Sequence, residues 1–193
     1  MNIKKQNAKR NYLAAFLIKL RTGLSLCQIA SILDVFNDKG TLSKVIKNVR
    51  TQLFQNFVPL YLEFSHVSRE KLINEMTRPL AKRLMKCDKL ILILDGTYFY
   101  IEKSSNNTLQ RNLFSLHKHW PFVKFMMIVT TTGYILDCFG RYFANYNNNY
   151  AKITHHILET TNLKSILQSD DMMITDRGFR DVTEYLNQNN IKT

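Results

Sequence analysis

Two aspartates in this 193-residue chain follow short apolar runs and come shortly before a glycine. Asp95 follows "ILIL" and precedes Gly96, whereas Asp176 follows "MMIT" and lies two residues before Gly178. In an α/β sheet the ends of neighbouring strands converge at one edge, where ligands commonly bind. We therefore expect the two carboxylates to lie side by side, at a spacing of roughly 4–8 Å that a metal pair can bridge.

The chemistry open to such a pair depends on a cation. Two carboxylates that are brought together repel each other unless a cation joins them. Oxygen ligands suit Mg²⁺ or Mn²⁺, so the predicted cofactor is a divalent metal cation held by Asp95 and Asp176. Metal sites of this kind promote phosphoryl transfer by activating water and stabilising the leaving oxygen. The alternative is that both aspartates cap turns, which is a common role of aspartate after a strand.

The elements that would position these residues begin near Asp88. The run "KLILILDGTYFYIEK" predicts a strand, "VKFMMIVTTTGYILDCFG" predicts two strands joined at Thr132-Gly133, and "DMMIT" predicts a short fourth strand. Helices are predicted for "AKITHHILETTNL" and "RDVTEYLNQNN", so the order is β-β-β-α-β-α and the fold class is a mixed α/β sheet. The preceding part of the chain has helical periodicity, and the predicted domains are therefore residues 1–86 and 87–193.

Positive charge is concentrated in the predicted helical part. The whole chain carries a formal net charge of +12. Residues 1–86 hold 16 Lys and Arg against 5 Asp and Glu, whereas residues 87–193 hold 11 against 10. A basic half of this kind indicates a polyanionic partner, usually nucleic acid. The alternative is a solvated basic surface with no partner.

The basic half also has the pattern of a helix-turn-helix module. Gly23 is a predicted helix stop and Ser25 a predicted N-cap, and a polar turn with Asn37, Asp38 and Gly40 follows the next helix. Thr41 is the predicted N-cap of a second helix that reaches about Phe57. Its outer face would contact DNA through Ser43, Lys44, Lys47 and Arg50. The alternative is a helical cap that is only structural.

The order and spacing of these motifs resemble a known family. The segments "ILILDGTYFYIEK", "VKFMMIVTTTGYILDCFG", "NYNNNYAKITHHIL" and "DDMMITDRGFRD" look like the DDE superfamily endonuclease domain of Harbinger-type transposases. The segment "LRTGLSLCQIASIL" resembles the helix-turn-helix that precedes such domains. The resemblance implies an RNase H-like mixed sheet, incomplete at its C-terminus, preceded by an all-α helix-turn-helix module. It also implies metal-dependent cleavage and joining of DNA, in the nucleus.

The resemblance assigns roles to individual residues. Asp95 in "LDGT" corresponds to the first acidic ligand of the family, and Asp176 in "TDRGF" corresponds to the acidic residue after the fourth strand. An aspartate that the family usually has between them is replaced here, with Tyr150 the first candidate for its position and Asn145 the second. The family's downstream glutamate would lie beyond Thr193, and Glu184 is a weak replacement. Arg111 and Lys118 occupy polar family positions that could hold the DNA backbone.

Two functions follow as alternatives. The first is a transposase-derived DDE endonuclease with impaired cleavage, and the second is a catalytically inactive DNA-binding remnant.

We expect no membrane partner, because no apolar run approaches ~20 residues, and we expect an intracellular protein. The aromatic run Tyr98–Tyr100 is expected to pack rather than stack on bases. Four acidic residues are expected to be solvated: Glu102, Asp137, Asp170 and Asp171.

Overall fold

The structure, a computed structural model, describes residues 3–34 and 39–193. Contacts between Cα atoms divide the chain into two compact units, Met1–Tyr61 and Leu62–Thr193. The predicted division at 86/87, between a helical module and a mixed α/β domain, stays a prediction. In the structure, residues Phe64, Val67 and Leu72 of the segment before it share the core of the second unit.

The first unit is helical. Its helices are α1 (Ile3–Thr22), α2 (Leu26–Leu33), α3 (Lys39–Asn56) and the single turn α4 (Val58–Tyr61). The first three helices contact one another around a small core of Ala15, Ile29 and Leu42. This unit is small, so its helices depend on the burial of a few apolar side chains.

The junction between α1 and α2 follows the predicted rules. Gly23 has a φ of +68°, a conformation that glycine adopts without a steric penalty. Ser25 is the N-cap of α2, and its hydroxyl accepts a hydrogen bond from the backbone N–H of Gln28. The side chain of Gln28 in turn accepts a hydrogen bond from the Ser25 backbone N–H, which completes a capping box.

The start of α3 differs from the prediction. Helix α3 begins at Lys39, so Thr41 lies within its first turn and is not its N-cap. Leu42 is completely buried against the other helices, and this packing holds the first turn of α3 in place despite Gly40. Asn37 and Asp38 of the predicted turn lie outside the described residues.

The second unit is built on a mixed sheet. Its strands are β1 (Ile91–Tyr100), β2 (Phe114–Ser115), β3 (Trp120–Thr130), β4 (Ile135–Phe143) and β5 (Met172–Ile174). Strand β3 pairs antiparallel with β1, with β4 and, at its start, with β2. Strand β1 pairs parallel with β5 on its other side. The predicted mixed α/β sheet is confirmed and is consistent with an RNase H-like nuclease domain. The predicted order lacked two elements that lie between β1 and β3, the helix Asn107–Leu113 and the short strand β2.

Short helices surround this sheet. They are α5 (Arg69–Asn74), α6 (Pro79–Met85), α7 (Asn107–Leu113), α8 (Tyr150–Thr160), α9 (Leu163–Ile166) and α10 (Arg180–Gln188). Three 3-10 turns add to them: Phe64–His66, Tyr146–Asn148 and Arg177–Phe179. The core joins Leu92 and Leu94 of β1 to Ile153 and Ile157 of α8. Alternate residues of β1 therefore face α8, as the two-residue period of a strand requires.

One acidic residue that was expected to be solvated is buried. The side chain of Asp171 has no exposed surface and forms two hydrogen bonds of 2.6 Å with the Arg69 guanidinium. It also accepts hydrogen bonds from the backbone N–H groups of Leu90 and Gln168. The prediction was wrong for Asp171 because partners far away in the sequence satisfy its charge. Its neighbour Asp170 is exposed, as expected.

Candidate active site around Asp95, Asp176 and Tyr150

Asp95 lies in the middle of β1 and not at its end. Antiparallel pairing with β3 continues from Leu92↔Thr130 to Tyr100↔Phe122, so the strand runs five residues past Asp95. The expectation of a strand that ends on a carboxylate was therefore wrong for Asp95. Two features of β1 change close to Asp95. Leu94 is buried whereas Asp95 is exposed, and the parallel pairing with β5 stops at Ile93↔Ile174.

The register of β1 and β5 relates the two aspartates. Every paired residue of β5 lies 81 positions after its partner on β1, as in Ile91↔Met172 and Ile93↔Ile174. Asp176 also lies 81 positions after Asp95. The two aspartates thus have the same offset as the paired residues, two positions beyond the last pair.

Asp176 both follows a strand and caps a turn, as the two interpretations of the sequence predicted. It follows β5 and is the N-cap of the 3-10 turn Arg177–Phe179, and its Oδ1 accepts a hydrogen bond of 2.8 Å from the Gly178 N–H. The turn-capping interpretation is therefore correct for this residue. A carboxylate that caps through one oxygen keeps its second oxygen for another ligand.

Tyr150 lies beside both aspartates. It is the first residue of α8, whose N-cap is Asn149. Burial raises the pKa of the Tyr150 phenol well above its usual range, the hydrogen bond with Tyr98 adds to this rise, and so do the negative charges of Asp176 and Asp95. The phenol is therefore neutral, and it lies close enough to both carboxylates for their negative charges to raise its pKa.

Close packing holds the Tyr150 ring in this position. It stacks on Phe179 with ring centroids 4.6 Å apart and an angle of 12° between the planes. Its hydroxyl forms a short hydrogen bond with the hydroxyl of Tyr98. A Cβ atom at Gly96 would lie 2.7 Å from its Cζ, and one at Gly178 would lie 3.3 Å from its ring. The glycines that follow the two aspartates therefore leave room for this ring.

A lysine completes the surroundings of Tyr150. The Lys124 Nζ lies 5.8 Å from the centre of the Tyr150 ring and donates a hydrogen bond of 2.6 Å to the carbonyl of Asn148. Burial lowers the pKa of Lys124. No local sequence pattern indicated a role for Lys124. The aromatic run was expected to pack, and Tyr98 does contact Phe122, but its hydroxyl has a polar role that no local pattern indicated.

The donor set limits which metal centre can form. Among residues 3–34 and 39–193, no group of three or more His, Cys, Asp or Glu side chains is placed to hold a metal ion. Mg²⁺ is commonly bound by one or two carboxylates together with waters and substrate phosphates. Two exposed aspartates beside a neutral phenol fit one hydrated cation of this kind. They do not fit two cations on either side of a phosphate, because that arrangement needs more negative charge.

The other predicted site residues lie elsewhere. Ser43, Lys44, Lys47 and Arg50 are all exposed along α3 in the first unit. In the second unit, Arg111 is exposed on α7, and Lys118 is exposed in the turn between β2 and β3. Asn145, the second candidate for the replaced acidic position, lines a cavity with Arg111.

Comparison with known proteins agrees with this geometry. The chain belongs to the DDE superfamily endonuclease family, whose pattern matches residues 94–190, half of the chain. Membership indicates transposase-derived nuclease ancestry and implies DNA as the substrate. No curated protein and no solved structure matches the chain. Within the part of the chain that the structure describes, every helix is too short or too polar to cross a bilayer.

Proposed function

We propose that this protein is a Harbinger-like, transposase-derived nuclease in which Asp95 and Asp176 together hold one Mg²⁺ or Mn²⁺ ion. The observation that carries the proposal is the shared 81-residue offset of the β1–β5 pairs and of the two aspartates. In this family a divalent cation activates water and stabilises the leaving oxygen of a phosphodiester. The chain's own contribution is to hold two carboxylates on a rigid sheet, with the substrate phosphate completing the ligand set.

Cleavage by this site is expected to be slow. Tyr150 lies near both aspartates and adds no negative charge, since its phenol is neutral. A second cation opposite the scissile phosphate would have no carboxylate to offset its charge. This arrangement supports a second candidate function, a DNA-binding protein of the same descent that does not cleave.

Both candidates assign DNA binding to the basic part of the chain. We propose that α2 and α3 act as a helix-turn-helix, with Lys44, Lys47 and Arg50 on DNA phosphates or base edges. The exposure of these three side chains on α3 supports this role. A nuclear location follows from DNA as the partner and is part of the same proposal.

The test is nicking of supercoiled plasmid in Mn²⁺ by the native chain and by matched variants. Asp95→Asn and Asp176→Asn remove a charge and keep the shape of the side chain, and Glu102→Gln is the control at an exposed carboxylate. Tyr150→Asp supplies the acidic residue that the family usually has. We expect weak nicking by the native chain, none by the two asparagine variants, native nicking by the control, and stronger nicking by Tyr150→Asp.

Three outcomes separate the candidates. Nicking that survives both asparagine variants would overturn the metal assignment. If the native chain does not nick DNA and the Tyr150→Asp variant does, the result would support both the DNA-binding function and the nuclease ancestry. No nicking by any variant, although each binds DNA, would contradict the proposed nuclease.

A further inference from the structure

A cavity of about 820 Å³ lies in the second unit, between α7 and the segment that leads into α8. One wall is the end of α7, with Gln110, Arg111 and Asn112. Another part of the lining is the segment that leads into α8, with Asn145, Tyr146 and Asn147. This volume is within the range of cavities that hold small organic ligands.

The lining of this cavity combines a cation and several amides with apolar side chains. None of the residues that line it is acidic, and Arg111 brings a positive charge. Its other polar side chains are mainly amides, which can both donate and accept hydrogen bonds. Among the described residues no side chain or backbone group pairs with the Arg111 guanidinium. The Tyr146 ring is 84% exposed at the rim, although a large aromatic side chain is normally covered.

These groups match the parts of a nucleotide. An arginine binds phosphate through a planar set of donors, and amide side chains recognise base edges. An exposed tyrosine offers a flat face on which a base can stack, and such stacking is worth about 1–3 kcal/mol per base. A peptide partner would not specifically need a cation, several amides and a free aromatic face in one cavity.

A chain of hydrogen bonds connects the cavity to the candidate site. Asn145 donates from Nδ2 to the Oδ1 of Asn112, at 3.3 Å. Asn148 donates to the Oδ1 of Asn145, and the carbonyl of Asn148 accepts from Lys124, which lies over the Tyr150 ring. Tyr146 is also only four residues before Tyr150. The cavity and the candidate site therefore share one structural wall.

We propose that this cavity binds an unpaired nucleotide of the DNA strand that lies at Asp95 and Asp176, with its base on Tyr146 and its phosphate on Arg111. The proposal rests on the proposed function, since it takes DNA as the substrate. A base inside a duplex is stacked on both faces and paired along its edge, so only a base that has left the stack can enter. The site would therefore favour DNA with a flap, gap or mismatch over fully paired DNA.

The test uses 2-aminopurine, a fluorescent base whose emission reports its stacking. The full chain, with EDTA so that no cleavage occurs, is titrated with two DNA duplexes that carry this base either unpaired in a short flap or fully paired. We expect tighter binding and a fluorescence change with the flap only. Tyr146→Ala should reduce the preference for the flap by about 5-fold or more, and Arg111→Ala should also reduce it.

Two matched variants separate this role from a structural one. Tyr146→Phe keeps the aromatic face and should retain the preference for the flap. Glu102→Gln changes an exposed carboxylate that does not line the cavity, and it should retain this preference as well. Circular dichroism of the Tyr146 variants checks that they remain folded, which is expected because the side chain is so exposed.

The outcomes are distinct for the two proposals. Equal binding of flap and paired DNA by the native chain would overturn the nucleotide site and leave the proposed function standing. A preference for the flap that survives both Tyr146→Ala and Arg111→Ala would also overturn the site. Failure to bind either duplex at low salt would overturn both proposals.

Discussion

The ring of Tyr150 occupies the space that any side chain at Gly96 would need. A Cβ atom placed on Gly96 would lie 2.7 Å from the ring Cζ and 2.8 Å from the hydroxyl oxygen. Because Gly96 directly follows Asp95, the residue that makes room for Tyr150 is part of the same motif as the candidate ligand. The acidic motif of β1 and the tyrosine of α8 are therefore coupled by packing.

This packing predicts a measurable coupling energy. Gly96→Ala should destabilise the protein by about 1–3 kcal/mol, because the Tyr150 ring is stacked on Phe179 and cannot move freely. In a Tyr150→Ala background the same change should cost less, which gives a coupling of about 0.5–3 kcal/mol by urea unfolding. The control is Gly133→Ala, where no atom lies within 4 Å and the φ of +89° alone causes strain. Its cost should not depend on residue 150, and equal costs for Gly96→Ala in both backgrounds would contradict the proposed contact.

The raised pKa of Tyr150 predicts a dependence of stability on alkaline pH. Unfolded tyrosine loses its proton near pH 10, whereas burial, the Tyr98 hydroxyl and the two carboxylates keep the folded phenol protonated. The folded state then binds more protons than the unfolded state, so the free energy of unfolding falls as pH rises above about 10. Urea unfolding between about pH 9 and 11 should show a steeper fall for the native chain than for Tyr150→Phe.

A second variant tests the causes of that shift. Tyr98→Phe removes the hydrogen bond to Tyr150 and leaves the ring in its packed position, so it should give an intermediate slope. If the native chain and Tyr150→Phe lose stability in parallel over this range, the phenol is not held in its neutral form as described.

The buried carboxylate Asp171 should be important for stability. Removing its charge by Asp171→Asn leaves the Arg69 guanidinium, which is only 20% exposed, without its partner. Breaking a buried pair in this way costs about 3–5 kcal/mol. The matched control is Asp170→Asn, since Asp170 is exposed and pairs with Lys89 and Lys192 at the surface. Thermal unfolding should show a large decrease in Tm for Asp171→Asn and little change for the control, and similar Tm values would contradict this role.

The basic face of α3 predicts salt-sensitive DNA binding. Each phosphate contact adds about 0.9 to the slope of log affinity against log salt concentration, so replacing Lys44, Lys47 and Arg50 with alanine should reduce that slope by up to about 2.7. Fluorescence anisotropy with duplex DNA over a series of salt concentrations measures it. The control replaces Lys103, Lys164 and Lys192 of the second unit, which removes the same charge. An unchanged slope in the α3 variant, or an equal reduction in the control, would show that α3 does not contact DNA.

Local sequence patterns were sufficient to predict most of the elements. The runs of residues 89–103 and 123–140 predicted three strands that the structure contains. Ser25 predicted a helix start, and the capping box that it forms with Gln28 depends only on residues three apart. Proline is a local signal of the same kind, since it lacks the N–H that a helix interior needs, and α6 begins at Pro79.

Tertiary structure alone decided the surroundings of the candidate site. The composition of the chain by itself determined a strongly basic protein with a sheet-forming second half, and two aspartates after apolar runs were visible without coordinates. That Asp95 lies within a strand, that Asp171 is buried, and that Tyr150 meets Tyr98, Gly96 and Phe179 depends on pairing and packing between distant segments. Such contacts leave no periodic pattern in the sequence, because the residues that meet are far apart along the chain. The register of the sheet brings these residues together.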